Sequence, residues 1–457
     1  MKTLLTAFLL VLVNQVVLAQ GYYYYGNSNL VGTGKMVGDK KEGVWKIYAR
    51  KELADNPKTA IAEVDELEVK ENFYLDVPLY KLEFKYNLLD GVFEEFYREG
   101  STKKVVNYQN GMLHGDFFEF SESGELLLSG NYFEGQKSGD WTVFRSDGTV
   151  KSEYSYENNL LVGTSTSYYA NGQIAERIPF ERGAISGRYE SFFPDGSPKE
   201  RVSFVAGQEQ GEFKQFHADG KLAIAAIFSK GVLEGPWESY DAQGLLVTKG
   251  SFVRGERVGE WKERYAAIPQ FFQLGNYEND AKTGTWKVLG PDAFVHQEET
   301  FKNGMLVSIG EFTTRQGLKL DAGSLAEGDG RRVMYDAEGN RIEKGRYANG
   351  LRTGIWYSYF PKTNLVSYSG TYVNGKKRGT WKQYDFSGTL VSEQVYASDE
   401  SGDPERPSNG MTASSDSRSR FYHPKESQGG MVNPRVLVLT PDGVMGVSGP
   451  GMFQLGN

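Results

Sequence analysis

The sequence contains no cysteine, only four histidines in 457 residues, and no excess of basic residues. Without cysteine the chain has no disulfide framework, no thiolate zinc site and no iron–sulfur cluster. The 51 basic and 59 acidic residues give a formal net charge of −8. This balance argues against a nucleic-acid partner, because a nucleic-acid binder needs a basic face. The apolar share of 39% excludes a disordered chain, and the aromatic share of 14% is unusually high.

The first nineteen residues have the pattern of a secretory signal peptide. A positive start at Lys2 precedes an apolar run at residues 4–13, and Val17 and Ala19 occupy the positions that a signal peptidase reads. A membrane anchor is the alternative, but the run is shorter than the ~18 residues that a spanning helix needs. We therefore predict cleavage after Ala19, no transmembrane segment in the mature chain, and export to the periplasm or the medium.

The middle of the chain repeats one motif every 24 residues. Glycines recur at this spacing from Gly91 to Gly259, and each is called position 0 of its unit. Position −7 is aromatic in all eight of these units, and positions +2 and +5 are aromatic in seven each. Further units follow with small shifts in spacing. The predicted structural repeat glycines are Gly91, Gly115, Gly139, Gly163, Gly187, Gly211, Gly235, Gly259, Gly284, Gly354 and Gly379.

All seven tryptophans of the chain stand at position +2. They are Trp45, Trp141, Trp237, Trp261, Trp286, Trp356 and Trp381. Large aromatic side chains are usually buried, so one interpretation is that these rings form the core. The other is a partly exposed aromatic ladder that binds sugar rings, a peptide or another chain. Positions +2 and +5 are an odd number of residues apart, so either both faces of the strand carry aromatics or a bulge redirects one ring.

Two turn signals per unit predict a β-hairpin. Position −4 is Gly or Asn, which accept positive φ, and position +9 is usually Gly after Asp or Asn, as in Asp147-Gly148. A lone hairpin is marginal in water, so stability comes from stacking on neighbours. We predict an all-β fold: an elongated array of about 12 to 13 stacked antiparallel β-hairpins that forms a twisted single sheet or a β-roll.

The unit that runs from Tyr372 through Gly375, Gly379, Trp381 and Tyr384 to Gly388 resembles the MORN repeat in its bacterial variant form. The resemblance covers roughly residues 31–396. It implies stacked β-hairpins and an interaction role, and it brings no catalytic residues. The family label includes the antitoxin component of a bacterial toxin–antitoxin module, and eukaryotic relatives are associated with membranes and scaffolding.

The chain divides by composition into six segments. Residues 1–19 are the signal peptide, residues 20–50 a lead-in with the first repeat unit, and residues 51–80 an acidic insertion. The array occupies residues 81–396, with irregular units near 262–345, where Arg332 replaces an expected aromatic. Residues 397–434 read as a flexible linker, and residues 435–457 as a terminal hairpin or tail that caps the array or serves as a terminal signal.

No constellation of residues predicts catalysis, a metal site or a cofactor. His114 and His217 stand several units apart, His296 lies further along, and His423 is in the linker. We therefore predict a non-catalytic exported scaffold that binds another protein or an envelope polymer, with an oligomeric state that the sequence leaves open. One alternative is an antitoxin or immunity-type protein that neutralises a toxin. Another is carbohydrate or peptidoglycan binding through the aromatic ladder.

Overall fold

A computed structural model of the chain describes residues 20–25, 27–52, 63–64, 66–265, 268 and 270–396. The predicted signal peptide (1–19), the linker (397–434), the C-terminal segment (435–457) and residues 53–62 of the acidic insertion lie outside the described residues. The described chain forms two compact units. Unit 1 comprises the residues up to Gly187 together with Pro194–Gly196, and unit 2 comprises Arg188–Phe193 and the residues from Ser197 onward.

Unit 1 contains short strands and one helix. Its strands are β1 (Gln20–Tyr25), β2 (Asn27–Val37), β3 (Lys40–Ala49), β4 (Glu63–Val64), β5 (Tyr80–Lys85), β6 (Leu88–Leu89), β7 (Gly91–Phe96), β8 (Thr102–Gln109), β9 (Met112–Phe120), β10 (Leu126–Phe133), β11 (Gln136–Phe144), β12 (Val150–Glu157), β13 (Leu160–Tyr168), β14 (Ile174–Glu181) and β15 (Ala184–Ile185). Helix α1 (Glu66–Asn72) lies in the acidic insertion.

Unit 2 begins within the next strand and consists of strands alone among the described residues. They are β16 (Gly187–Phe192), β17 (Pro198–Val205), β18 (Gln208–Phe216), β19 (Leu222–Ser229), β20 (Val232–Tyr240), β21 (Leu246–Val253), β22 (Glu256–Arg264), β23 (Phe272–Glu278), β24 (Ala281–Leu289), β25 (Val295–Lys302), β26 (Met305–Ile309), β27 (Phe312–Thr313), β28 (Lys319–Leu320), β29 (Gly330–Tyr335), β30 (Arg341–Ala348), β31 (Leu351–Tyr359), β32 (Val366–Val373), β33 (Lys376–Tyr384) and β34 (Leu390–Tyr396).

Consecutive strands pair antiparallel, so each 24-residue unit is a hairpin that continues into the next. In unit 1 this order runs from β7 to β14, and in unit 2 from β17 to β26 and from β29 to β34. The prediction of an all-β array of stacked antiparallel hairpins is confirmed.

The two turns of each hairpin have the geometry that their sequences indicate. Between β10 and β11, Glu134 and Gly135 both have positive φ, 49° and 80°, which is the type I′ turn that suits the twist of paired strands. The amide of Gly135 donates to the carbonyl of Leu113 in the preceding unit at 2.8 Å, so this turn also links neighbours. At the opposite turn, the Asp147 carboxylate accepts the amide of Thr149 at 2.9 Å.

The irregular part of unit 2 surrounds a thicker core. Strands β27 and β28 form a separate two-stranded sheet, and a six-stranded sheet begins at β29. A buried cluster lies here, formed by Ile268, Phe271, Val288, Phe312, Ala322, Val333 and Tyr335. The array therefore gains an apolar cover in this region, where the sequence departs from the repeat.

Candidate binding surface

The position 0 glycines form a bulge that places the +2 ring. All eleven predicted repeat glycines have positive φ. Gly139 is required for its positive φ and not for lack of space, since a Cβ at this position would meet nothing within 4 Å. Asn131 pairs with Ser138 and Ser129 with Thr142, so residues 139–141 of β11 face the single residue Gly130 of β10. The bulge brings the +2 side chain over the backbone of the preceding strand.

Six of the seven predicted ladder tryptophans are buried, namely Trp45, Trp141, Trp261, Trp286, Trp356 and Trp381. Trp237 is half-buried. The buried rings meet the −7 aromatics edge to face, as Trp141 meets Tyr132 at 5.2 Å between centroids and 86° between planes. A ligand would reach the six buried rings only after the side chains above them moved. The binding role of the seven tryptophans stays a prediction, and the geometry gives the six a packing role.

Two further positions accompany every buried tryptophan, and neither was predicted from the sequence. Position −9 is glycine, and the ring lies against it: a Cβ on Gly130 would come within 2.1 Å of Trp141, and one on Gly250 within 2.1 Å of Trp261. Position −2 is Lys or Arg. In five of the six units this cation lies over the tryptophan ring, as Lys137 lies over Trp141 at 4.4 Å. Arg257 lies over the ring of Tyr277 instead, at 4.1 Å. The six glycines are Gly34, Gly130, Gly250, Gly275, Gly345 and Gly370, and the six cations are Lys41, Lys137, Arg257, Lys282, Arg352 and Lys377.

Trp237 is the exception that both positions explain. Ala226 stands at position −9 and Leu233 at position −2, so the ring has neither the space nor the covering cation. Its indole nitrogen donates to the Thr248 hydroxyl at 3.0 Å. In four of the six units with a buried tryptophan, the indole nitrogen donates instead to a backbone carbonyl, as that of Trp261 donates to the carbonyl of Ser251 at 3.2 Å. The co-occurrence of Gly at −9, a cation at −2 and Trp at +2 was readable in the sequence.

The +5 ring lies on the opposite face from the +2 ring. Tyr240 donates its hydroxyl to the carboxylate of Glu238, two residues earlier on the same strand, at 2.7 Å. Side chains two apart share a face of a strand, so +5 shares a face with +3 and not with +2. Both faces of the hairpin therefore carry aromatics, which was the first of the two possibilities that the sequence left open.

In unit 1 the +5 rings form a half-exposed apolar strip with the residues paired to them. Phe144 pairs with Val150, and Tyr168 pairs with Ile174. Every member is half-buried. The strip alternates ring and smaller side chain across successive strands: Phe96, Thr102, Phe120, Leu126, Phe144, Val150, Tyr168 and Ile174. We call this set the unit 1 strip.

Unit 2 carries a shorter strip of the same construction. Phe216 pairs with Leu222, and Tyr240 pairs with Leu246, all four half-buried. A shallow groove lies beside it, lined by Lys221, Leu222, Tyr240, Gln243 and Gly244. The next unit ends this pattern, because Arg264 stands at +5 and binds the Asp241 carboxylate at 2.8 Å.

Side chains at position +6 tie neighbouring hairpins together along the edge of these strips. In unit 1, Tyr97 donates to the carbonyl of Phe120 at 2.9 Å. In unit 2, a ring nitrogen of His217 lies 3.0 Å from the carbonyl of Tyr240. His296 is buried and stacked on Phe271, with 4.7 Å between ring centroids. These two histidines therefore have packing and turn contacts, and among the described residues no group of three or more acidic or histidine side chains is placed to hold a metal ion.

Unit 2 also contains a buried polar network. The Lys282 ammonium binds the Glu263 carboxylate and donates to the Gln273 side-chain oxygen at 2.7 Å. The Gln273 amide donates to Glu299 at 2.7 Å, and Glu299 binds the Arg332 guanidinium. Burial lowers the pKa of Lys282 despite its two acidic neighbours.

Arg332 occupies the +2 position of the unit at Gly330, where other units carry a ring. Its cross-strand partner is Gly345, and it is buried. A buried guanidinium requires a partner, which Glu299 supplies together with the hydroxyl of Tyr265. Burial raises the pKa of Tyr265 well above that of a free tyrosine. The network joins β22, β23, β24, β25 and β29, and the carboxylates of Glu263 and Glu299 are buried, which indicates a structural role.

The family described as MORN repeat variant matches the chain at residues 89–110, 161–182, 209–229 and 377–397. The chain contains MORN repeats. Each matched segment begins near position −2 of a unit and ends near the −7 aromatic of the next, so the MORN repeat coincides with the hairpin seen in the structure. None of the curated proteins matches the chain.

Among solved structures, the chain is similar to one titled "Crystal Structure of TcdB2-TccC3-Cdc42", at 12% identity and a TM-score of 0.14. The match covers 81% of this chain and 25% of that one. A Photorhabdus luminescens Tc holotoxin pore matches at 9% identity and a TM-score of 0.12, covering 82% of this chain and 20% of that one. The chain thus spans a quarter or less of these chains, and at such TM-scores the likeness carries no argument about function. In the part of the chain that the structure describes, no helix combines the length and apolar character needed to cross a bilayer.

Proposed function

We propose that this MORN-repeat chain is an exported, non-catalytic scaffold that binds another macromolecule through the half-exposed apolar strips of its hairpin units. The observation that carries the proposal is the unit 1 strip, in which the +5 ring of each hairpin is half-buried while the +2 rings of Trp45, Phe117 and Trp141 are buried. A regular apolar strip on the solvent-facing surface of a protein is typical of interaction sites.

The strip suits an extended partner better than a small molecule. Each hairpin contributes two strands about 4.8 Å apart, so the rings recur roughly every 10 Å along the array. Small-molecule sites are concave and enclosed, whereas the strip is an open surface of a sheet. The partner class we favour is a protein segment that lies across several hairpins.

The experiment is a capture assay from cell-envelope extract with the mature chain, residues 20–457. Replacing Phe120 and Phe144 by Ser should abolish capture of a partner that the wild-type chain retains. Phe133→Ser is the matched control, since Phe133 is an exposed aromatic outside the strip, 53% exposed. Loss of capture in both variants, or in neither, would contradict the proposal, as would reproducible absence of any partner.

Carbohydrate binding is a second candidate, and one contact favours it. The Tyr168 hydroxyl donates to the Glu153 carboxylate at 2.7 Å, so a ring and a hydrogen-bonding pair lie side by side on the exposed face. Sugar rings present an apolar face and hydroxyl groups, which this pairing matches. Pelleting with insoluble polysaccharide or peptidoglycan should be lost in Tyr168→Ala and retained in Phe133→Ser. Equal pelleting of wild type and Tyr168→Ala would dismiss this candidate.

Toxin neutralisation stays a prediction that rests on the resemblance to the MORN variant family. It requires direct binding of a toxin by the array. Co-expression with a toxin encoded beside this chain should rescue cell growth, and the Phe120→Ser/Phe144→Ser variant should lose the rescue. Absence of rescue by the wild-type chain would remove this alternative and leave the scaffold proposal standing.

A further inference from the structure

The N-terminal end of the array is covered by a segment of the same chain. In unit 1, β4 pairs with the outer side of β1 through Tyr22↔Val64. Val69 of helix α1 and Phe73, which follows the helix, lie in a buried cluster that contains Tyr24. The Tyr24 hydroxyl also donates to the Glu68 carboxylate at 2.6 Å. Residues of the acidic insertion, and not a further repeat unit, thus cover this end.

The C-terminal strand β34 has no such cover among the described residues. It pairs with β33 on one side only, and six of its seven residues are exposed. Val391 is 60% exposed and Val395 74% exposed. Proteins usually protect an edge strand with lysine, proline or a bulge. The strand contains neither lysine nor proline, and Glu393 is its one charged residue. Its one bulge is at Val391, and residues 392–396 pair regularly with β33. Its backbone groups and valines are therefore open to strand addition.

The chain itself supplies a segment that fits this edge. Residues 435–439 read Arg-Val-Leu-Val-Leu, which is one arginine and four apolar residues, and its two valines favour a strand. This run follows the polar residues 397–434. These 38 residues can extend to about 125 Å, so they reach the edge without strain. Tethering also gives a local concentration on the order of millimolar, above that of a second copy at micromolar protein. The tether therefore favours the chain's own segment over another copy.

We propose that the outer edge of β34 is a strand-addition site and that residues 435–439 of the same chain occupy it. Repeat arrays need covered ends for solubility. The insertion supplies that cover at β1, and the C-terminal segment supplies it at β34.

A disulfide scan is simple to interpret because the chain contains no cysteine, so each engineered pair can form only one disulfide within a chain. The full mature chain would carry Val395→Cys with one further cysteine at position 436, 437, 438 or 439. We expect a disulfide within the monomer at alternate positions, since side chains of a strand alternate between faces. The remaining positions should react with Gln394→Cys instead, because residues 394 and 395 point to opposite faces.

The matched control is Val373→Cys with the same four partners. Val373 is an exposed valine, 47%, at a turn away from the edge of β34, and it should form no intramolecular disulfide. Equal reaction at all four positions, or none, would overturn the proposal. Disulfides that join two chains would assign the edge to a second copy and equally overturn it.

A second readout does not depend on cysteine chemistry. Val438→Pro removes one backbone donor from the added strand and disfavours it in a sheet. Hydrogen exchange of the β34 amides should then become at least tenfold faster, while exchange in β31 stays unchanged. Unchanged exchange in β34 would contradict the proposal.

Discussion

Two of the hairpins that carry a tryptophan at position +2 pack the ring differently. In unit 1, Trp141 is buried against Gly130 and covered by Lys137. In unit 2, Trp237 is half-buried and donates to the Thr248 hydroxyl, with Ala226 in the place of the glycine. The difference teaches that the residues at positions −9 and −2, and not the tryptophan itself, decide whether the ring enters the core.

Removal of the Trp141 and Trp237 rings, one at a time, should give the largest difference in stability between two variants. Trp141→Ala leaves a cavity among Phe117, Tyr132 and Tyr156, so we expect a loss of about 3–5 kcal/mol in the free energy of unfolding of unit 1. Trp237→Ala, at a half-buried ring, should lose about 1–2 kcal/mol. Urea unfolding with local hydrogen exchange measures both. Equal losses would show that the two environments do not differ in energy.

The substitution Gly130→Ala should cause the next largest loss of stability. The Cβ of Gly130→Ala would overlap the indole of Trp141, so the ring must move, and overpacking of this kind costs about 1–3 kcal/mol. Gly310→Ala is the control, since its Cβ has no neighbour closer than 3.4 Å. Chemical denaturation of the two variants tests the pair, and a Gly130→Ala variant as stable as the control would refute the packing argument.

Alkaline pH should separate the two environments through their neighbouring rings. Burial raises the pKa of Tyr132 and Tyr156 beside Trp141, whereas Trp237 meets Phe252, which does not ionise. The folded chain keeps these phenol protons when the unfolded chain has lost them. Their contribution is therefore complete below pH 10 and falls as pH rises further.

Hydrogen exchange of β10–β12 against β20–β21 at rising pH follows this effect. We expect protection to fall first in β10–β12, and Tyr132→Phe/Tyr156→Phe should remove the difference. A parallel fall in wild type and double variant would mean that other groups cause the alkaline response.

The smallest change in stability is expected when the unit of Trp237 is given the residues that accompany the buried tryptophans. Ala226→Gly/Leu233→Lys gives Trp237 the glycine and the cation that the buried rings have. The glycine itself costs about 0.5–1 kcal/mol in a strand, which the new packing should roughly offset. The informative measurement is the ¹⁹F resonance of fluorotryptophan at position 237, which should move toward those of the buried rings. An unmoved resonance would show that further residues hold Trp237 in place.

Much of the fold was predictable because each hairpin depends on local signals. Glycine or asparagine at −4 indicated a hairpin turn with positive φ, and the structure shows this turn as type I′ at Glu134 and Gly135. The recurrence of the unit indicated the stacking. The outcome for the +2 rings was not predictable from their own identity. It depends on Gly130 or Ala226 across the strand pair, and this pairing becomes visible only once the bulge at Gly139 sets the register.

The candidate strips were missed because their exposure depends on the opposite face of the sheet. The sequence offered +2 and +5 as equal aromatic positions, and only burial distinguished Trp141 from Phe144. The buried network around Glu299 was likewise not predictable from the sequence, since it joins residues from β22, β23, β24, β25 and β29. Arg332 departed from the repeat in sequence, but its ion pair with Glu299 required the fold.

The sequence by itself determined the period, the hairpin and the positions of the turns, because those follow from contacts within one unit and its neighbour. The tertiary structure decided which aromatic ring faces solvent, which charges are buried as pairs and which end of the array has a cover. Those outcomes depend on side chains that meet across strands or from distant segments, and the order of residues along the chain does not show which of them come into contact.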